Sequence, residues 1–116
     1  MPIPPEITAL VEQLNQELNQ IEQEATAGIT LTRAILDRFP ENARLIQFFA
    51  SFSSAMLFVE TQRRRIRSIV ENLSATQTNI DEEIQEAGED LAGELGRVLE
   101  TKMLVTNLKN RLENLQ

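Results

Sequence analysis

The chain has 116 residues, enough for one domain with a real core, and its 18 acidic against 11 basic residues leave a formal net charge of −7. That balance argues against nucleic acid and anionic membranes as partners of the molecule as a whole. Cys and His are both absent, which removes disulfides, thiolate chemistry, the commonest metal ligand and the commonest general base.

The opening MPIPPEI has neither a basic n-region nor an apolar h-region, so it does not read as a secretory signal. Pro5 suits a first helical turn, where its missing N–H costs nothing, and Glu6 suits the positive end of the helix dipole. From there apolar residues recur at steps of three and four: Ile7, Val11, Leu14, Leu18, Ile21, Ala25, then Gly28, Thr32, Ile35 and Phe39. The stripe is narrow on a Gln/Asn/Glu surface, which predicts a helix over about 5–38 with coiled-coil character.

Pro40 disfavours helix at Phe39, so a turn is expected near RFPEN. The stripe resumes as Leu45, Phe49, Phe52, Met56, Val59, Arg63, Ile66, Val70 and Leu73, predicting a second helix over about 41–73. SATQTN then reads as a break, with Asn79 as N-cap and Glu82 as its capping-box partner. A third helix over about 79–115 carries Ile80, Ile84, Ala87, Leu91, Glu94, Val98, Thr101, Val105, Leu108, Leu112 and Leu115. The expectation is one all-α domain over 1–116, an elongated up-down-up three-helix bundle. Because the phase runs on across 74–79, the alternative is a short helix followed by one long helix in a dimeric bundle. The most apolar window, 45–59, is too short and too rich in Ser to span a bilayer.

All five Phe lie between residues 39 and 58, and the apolar arc of 45–59 exceeds half the helix circumference. An isolated three-helix bundle needs less from any one helix. Two readings follow: a thick local core, or an interface, for which Ile46, Phe48, Phe52, Leu57 and Phe58 are the candidates. Insertion into a lipid surface is a third, weakened by the three serines and by the lack of flanking Lys and Trp.

Arginines occupy positions 63, 64, 65 and 67, whereas Asp81 to Glu94 holds seven acids and no base. Around a turn centred near 76.5, Arg63 would face Asp90, Arg64 would face Glu89 and Arg67 would face Glu86. The arginines, Arg65 included, then serve the protein's own carboxylates and help to set the hairpin register. Arg63 lies on the stripe, so it would need Asp90 or Glu94 beside it. The other reading is a charged patch for a protein partner, or a phosphate-binding run in a small nucleic-acid-associated regulator. No recognition-helix context or free aromatic accompanies it.

Gly88, Gly93 and Gly96 fall inside the third helix, where each costs ~1 kcal/mol relative to Ala; local softness, close helix approach or a bend could be the reason. The acidic run lacks the calcium-loop pattern, and no nucleotide-binding or nucleophile-elbow motif occurs. No catalytic residue, cofactor or metal is expected. The composition points to a non-enzymatic, self-associating protein–protein interaction module, an adaptor, assembly factor or regulatory subunit, in the cytoplasm, with the homodimer as its first partner.

Overall fold

The computed structural model describes residues 3–75 and 81–115, which hold three helices, α1 (Pro5–Leu36), α2 (Ala43–Ala75) and α3 (Asp81–Asn114), and no strand. All three pack on one another, α1 extensively against both neighbours and α2 most sparsely against α3. Because α2 and α3 touch each other along their sides, the long-helix alternative is excluded. The Cα trace extends 59 × 20 × 16 Å with a radius of gyration of 17.8 Å, against about 13 Å for a compact domain of ~100 residues.

Local chemistry explains the helix ends. Pro4 stands extended before α1, and its carbonyl accepts from the N–H groups of Ile7 and Thr8 at 3.1 Å each. At the other end the N–H groups of Arg38 and Phe39 both bond to Ile35 O at 3.0 Å, and Pro40 forbids another turn. Asn42 restarts the chain: its side-chain Oδ1 accepts from Leu45 N–H and its carbonyl from Ile46 N–H, both at 3.1 Å. That is an N-cap, one that the expected helix start near 41 does not single out. Asp81, Glu82 and Glu83 form the first turn of α3, where the helix dipole favours them. The expected Asn79 cap lies outside the described residues.

The core is a single apolar column. Leu14, Leu18, Ile21, Phe52, Leu91 and Leu112 are among its fully enclosed members. The α1 stripe is as expected except at its end, where Phe39 lies beyond the helix and is mostly exposed. On α3 the expected stripe holds through Ala87, Leu91, Glu94, Val98, Val105 and Leu112, while Leu115 is exposed.

On α2 the stripe is rotated by part of a turn. Leu45, Phe52, Val59, Ile66 and Leu73 are buried as expected, but their companions are Phe48, Ala55 and Gln62, not Phe49, Met56 and Arg63. Each pair of neighbours offers apolar or polar bulk in either phase, so hydrophobicity alone does not choose between them. Two polar contacts do. The rotation lets the Arg63 guanidinium reach α1 at the edge of the core, and it brings Phe49 under the Arg33 guanidinium, 5.5 Å from the ring centroid. The cost is Gln62, only 5% exposed, whose Oε1 has no hydrogen-bond partner among the described residues.

Gly28 has a packing reason. A Cβ there would lie 2.5–2.6 Å from three atoms of the Phe52 ring, so the ring tip rests directly on the α1 backbone. One turn on, the buried Thr32 hydroxyl donates to Gly28 O at 2.6 Å, which satisfies the only polar group of that side chain.

Candidate functional site

The five interface candidates divide. Phe48 and Phe52 are core, 4% and 0% exposed, with stacked rings whose centroids are 6.5 Å apart. They have no surface to offer a partner. Phe58 is half-buried and packs against the core. Ile46 and Leu57 remain on the surface, 49% and 65% exposed. With Ala50 and Ser53 between them they make one outward stripe at helical spacing. No charged residue occurs between Leu45 and Val59, so this stripe is uncharged as well as partly apolar. Beside it a groove of about 420 Å3 runs between α1 and α2, with Ile29, Met56 and Leu57 along it and the Glu22–Arg63 pair at one end.

The arginine run is largely engaged, though with other carboxylates than the symmetrical turn implies. Arg63 donates to Glu22 Oε2 at 2.6 Å and to Asn19 Oδ1 at 2.7 Å, both on α1. Neither Asp90 nor Glu94 is its partner. Arg64 pairs within its own helix with Glu60 at 3.3 Å, not with Glu89. Arg65 crosses to α3 and reaches Glu94 Oε1 at 2.8 Å. Arg67 makes no ion pair among the described residues, so its expected contact with Glu86 is absent. The register explains these corrections. Around residue 76.5 Arg65 would meet Gly88; it meets a residue six places farther along α3. Since α2 runs on to Ala75 and α3 begins at Asp81, the midpoint between the helix ends moves from 76.5 to 78, which accounts for three of those six places.

Glu94 is the one buried carboxylate of the α3 stripe, its side chain 3% exposed, and it is held by two guanidinium groups, Arg65 at 2.8 Å and Arg97 at 2.6 Å. Both arginines keep their outer parts in solvent. Arg63, expected to pair with Asp90 or Glu94, has Glu22 instead, and Glu94 is met from α2 by Arg65. A further pair, Glu17 with Lys102 at 2.8 Å, joins α1 to α3, and Thr106 donates to Glu24 at 2.6 Å beside it. At Glu22 the hydrogen bond from Arg63 is the main influence and lowers its pKa below the ordinary 4.5; partial desolvation opposes this and the Arg63 charge adds to it.

By contrast, the acids that open α3 are uncompensated. Asp81, Glu82, Glu83, Glu86, Glu89 and Asp90 make no ion pair among the described residues; Glu89 accepts only from Gln85, at 3.3 Å. Among the described residues a Cβ at Gly93 or Gly96 would have nothing within 4 Å, so close approach explains neither; at Gly88 the nearest atom is Ile7 Cδ1, an ordinary 3.6 Å away. Among the described residues there is no group of three metal-ligating side chains, and no helix long and apolar enough to cross a membrane. Comparison with protein-family models, with curated proteins and with solved structures finds no match.

Proposed function

We propose that this chain is a non-enzymatic helical protein–protein interaction module that self-associates through the outward face of α2. The observation that carries the reading is the uncharged stripe of Ile46, Ala50, Ser53 and Leu57. A two-fold interface sets a surface against its own copy, so any charge near the axis meets itself. On a chain of net charge −7, the uncharged stretch 45–59 is where two copies can meet with least repulsion; Glu60 and Glu22, at its end, are neutralised by Arg64 and Arg63. Leu57 projects farthest and is the natural central anchor. Packing there would follow the side-by-side helix geometry of coiled coils. Engagement of Arg63, Arg64 and Arg65 by carboxylates and an amide leaves little for a phosphate-binding reading. A cytoplasmic setting belongs to the same proposal, supported by the cysteine-free composition.

The test is mass in solution by size-exclusion chromatography with light scattering, on wild type and Leu57→Asp. Phe58 is the wrong probe, because it packs on the core and a charge there would disturb the fold. Expected are twice the 13.2 kDa of one chain for wild type, and one chain with unchanged helicity for the variant. A wild type that stays monomeric at high micromolar concentration, or a variant that stays dimeric, would refute the proposed face.

A further inference from the structure

At the hairpin end of the bundle α2 and α3 leave a second opening, separate from the α2 outward face. It is a groove of about 280 Å3 with Ile69, Leu73 and Ala87 along its floor and Glu83, Glu86 and Asp90 along its α3 rim. Leu73 and Ala87 are buried and Ile69 half-buried, so the floor is continuous with the core.

Two features of the rim go beyond what the fold needs. The helix dipole rewards acids only within the first turn, which covers Asp81 to Glu83 but not Glu86 or Asp90. Like charges three and four residues apart also work against the helix, and the rim repeats that spacing. Among the described residues no base, Arg67 included, forms an ion pair with them. The nearest arginine engaged with α3 from α2 is spent on Glu94, and residues 76–80 contain no Lys or Arg. From Glu83 to Asp90 the rim spans two helical turns, about 10 Å at ~1.5 Å per residue.

We propose that this groove docks a basic amphipathic helix of a protein partner. An apolar side chain of the partner lies on Ile69, which alone of the floor residues keeps surface above the buried Leu73 and Ala87, and Lys or Arg three or four residues apart on its flank meet Glu83, Glu86 and Asp90. The one-sided rim fixes the flank on which the basic residues must lie, and so the orientation of the partner. A second copy of this chain fits poorly, because three of its four clustered arginines are already engaged. Nucleic acids and anionic membranes are repelled by the rim. A free polyamine neutralises it but leaves the floor uncovered.

The proposal goes beyond the self-association reading and does not rest on it. It is tested with a labelled synthetic helical peptide carrying a Leu stripe and Lys along one flank, titrated with the full chain and followed by fluorescence anisotropy. A second peptide of the same composition, scrambled so that stripe and flank are lost, carries the same charge. Binding of the patterned peptide is expected to weaken as salt rises. It is expected to be about tenfold tighter than that of the scrambled one, and to fall about tenfold in Glu86→Gln/Asp90→Gln. Ile69→Asn, checked for helicity by circular dichroism, should weaken it as well, and Leu57→Asp should leave it unchanged whatever that variant does to the mass. Absence of binding, equal binding of both peptides, or indifference to the rim variants would overturn the proposal.

Discussion

The contact of Phe52 with Gly28 makes a sharp prediction for Gly28→Ala. Ordinary carbon contacts begin near 3.4 Å, and the new methyl would stand 2.5–2.6 Å from Cζ, Cε1 and Cε2. The ring must therefore retreat by roughly 1 Å, the gap between those distances and normal packing. It has nowhere to go, since Phe52 is 0% exposed and stacked on Phe48. Such overpacking costs about 1–3 kcal/mol. With the ring fully enclosed the upper part of that range applies, about 2–3 kcal/mol; replacing Gly by Ala in a helix returns ~1 kcal/mol, so a net loss of about 1–2 kcal/mol is expected. That is a fall of about 4–8 °C in Tm for a domain of this size. The assay is urea and thermal unfolding followed by circular dichroism at fixed protein concentration, which holds any self-association constant. Phe52→Leu shortens the ring side chain and should relieve the clash. The double variant should therefore be more stable, by at least ~1 kcal/mol, than the sum of the two single losses. A Gly28→Ala protein as stable as wild type, or strictly additive losses, would refute the argument.

Two further outcomes follow from the same geometry. Gly93→Ala and Gly96→Ala meet no neighbouring atom, so each is expected to stabilise by about 0.5–1 kcal/mol through helix propensity; a loss in either would mean that the position is needed as a bend. At Glu22 the Arg63 hydrogen bond lowers the folded-state pKa below 4.5. Its contribution is therefore present above the unfolded value and disappears as pH falls through the folded one. With the Glu22 side chain 42% exposed, that contribution stays within about 1 kcal/mol. Unfolding of wild type against Glu22→Gln should show a gap at pH 7 that narrows as pH falls below 4.5, and a constant gap would remove Arg63 as its cause.

The helical class, the number of helices and the core face of α1 and α3 were legible because apolar residues at steps of three and four leave little choice there. The phase of α2 was not. Phe48 beside Phe49 and Ala55 beside Met56 satisfy either phase, and the choice fell to Arg63 finding Glu22 and Asn19 on α1. Such partners are far away in sequence, and a stripe count does not see them. The breadth of the apolar arc in 45–59 was read correctly, but its division into core and surface follows from that same rotation, which takes Phe48 inside and leaves Leu57 out. The hairpin pairs failed for a related reason. A turn assumed symmetrical fixes every pairing at once, so an α2 that ends two residues later and an α3 that starts two residues later than expected displace them all.

The ion pairs between helices cluster in one stretch of the bundle, from Glu94 to Lys102 on α3, about 12 Å at ~1.5 Å per residue. Arg63 ties α2 to α1 at Glu22, Arg65 ties α2 to α3 at Glu94, and Lys102 ties α3 to α1 at Glu17. Each of the three interfaces thus carries one charged contact, close to the level of the buried Gln62. This arrangement answers a weakness of regular apolar stripes. Sliding one helix by seven residues sets Leu, Ile and Val against Leu, Ile and Val again, and burial changes little. The charged contacts do change. A seven-residue slip of α2 against α3 takes Arg65 away from Glu94 and leaves a carboxylate that is 3% exposed with Arg97 of its own helix as its remaining partner. Breaking a buried pair costs about 3–5 kcal/mol when the remaining charge is left uncompensated, and Arg97 reduces that cost without removing it. The apolar column therefore supplies most of the stability, while these charged contacts separate the native register from its near copies.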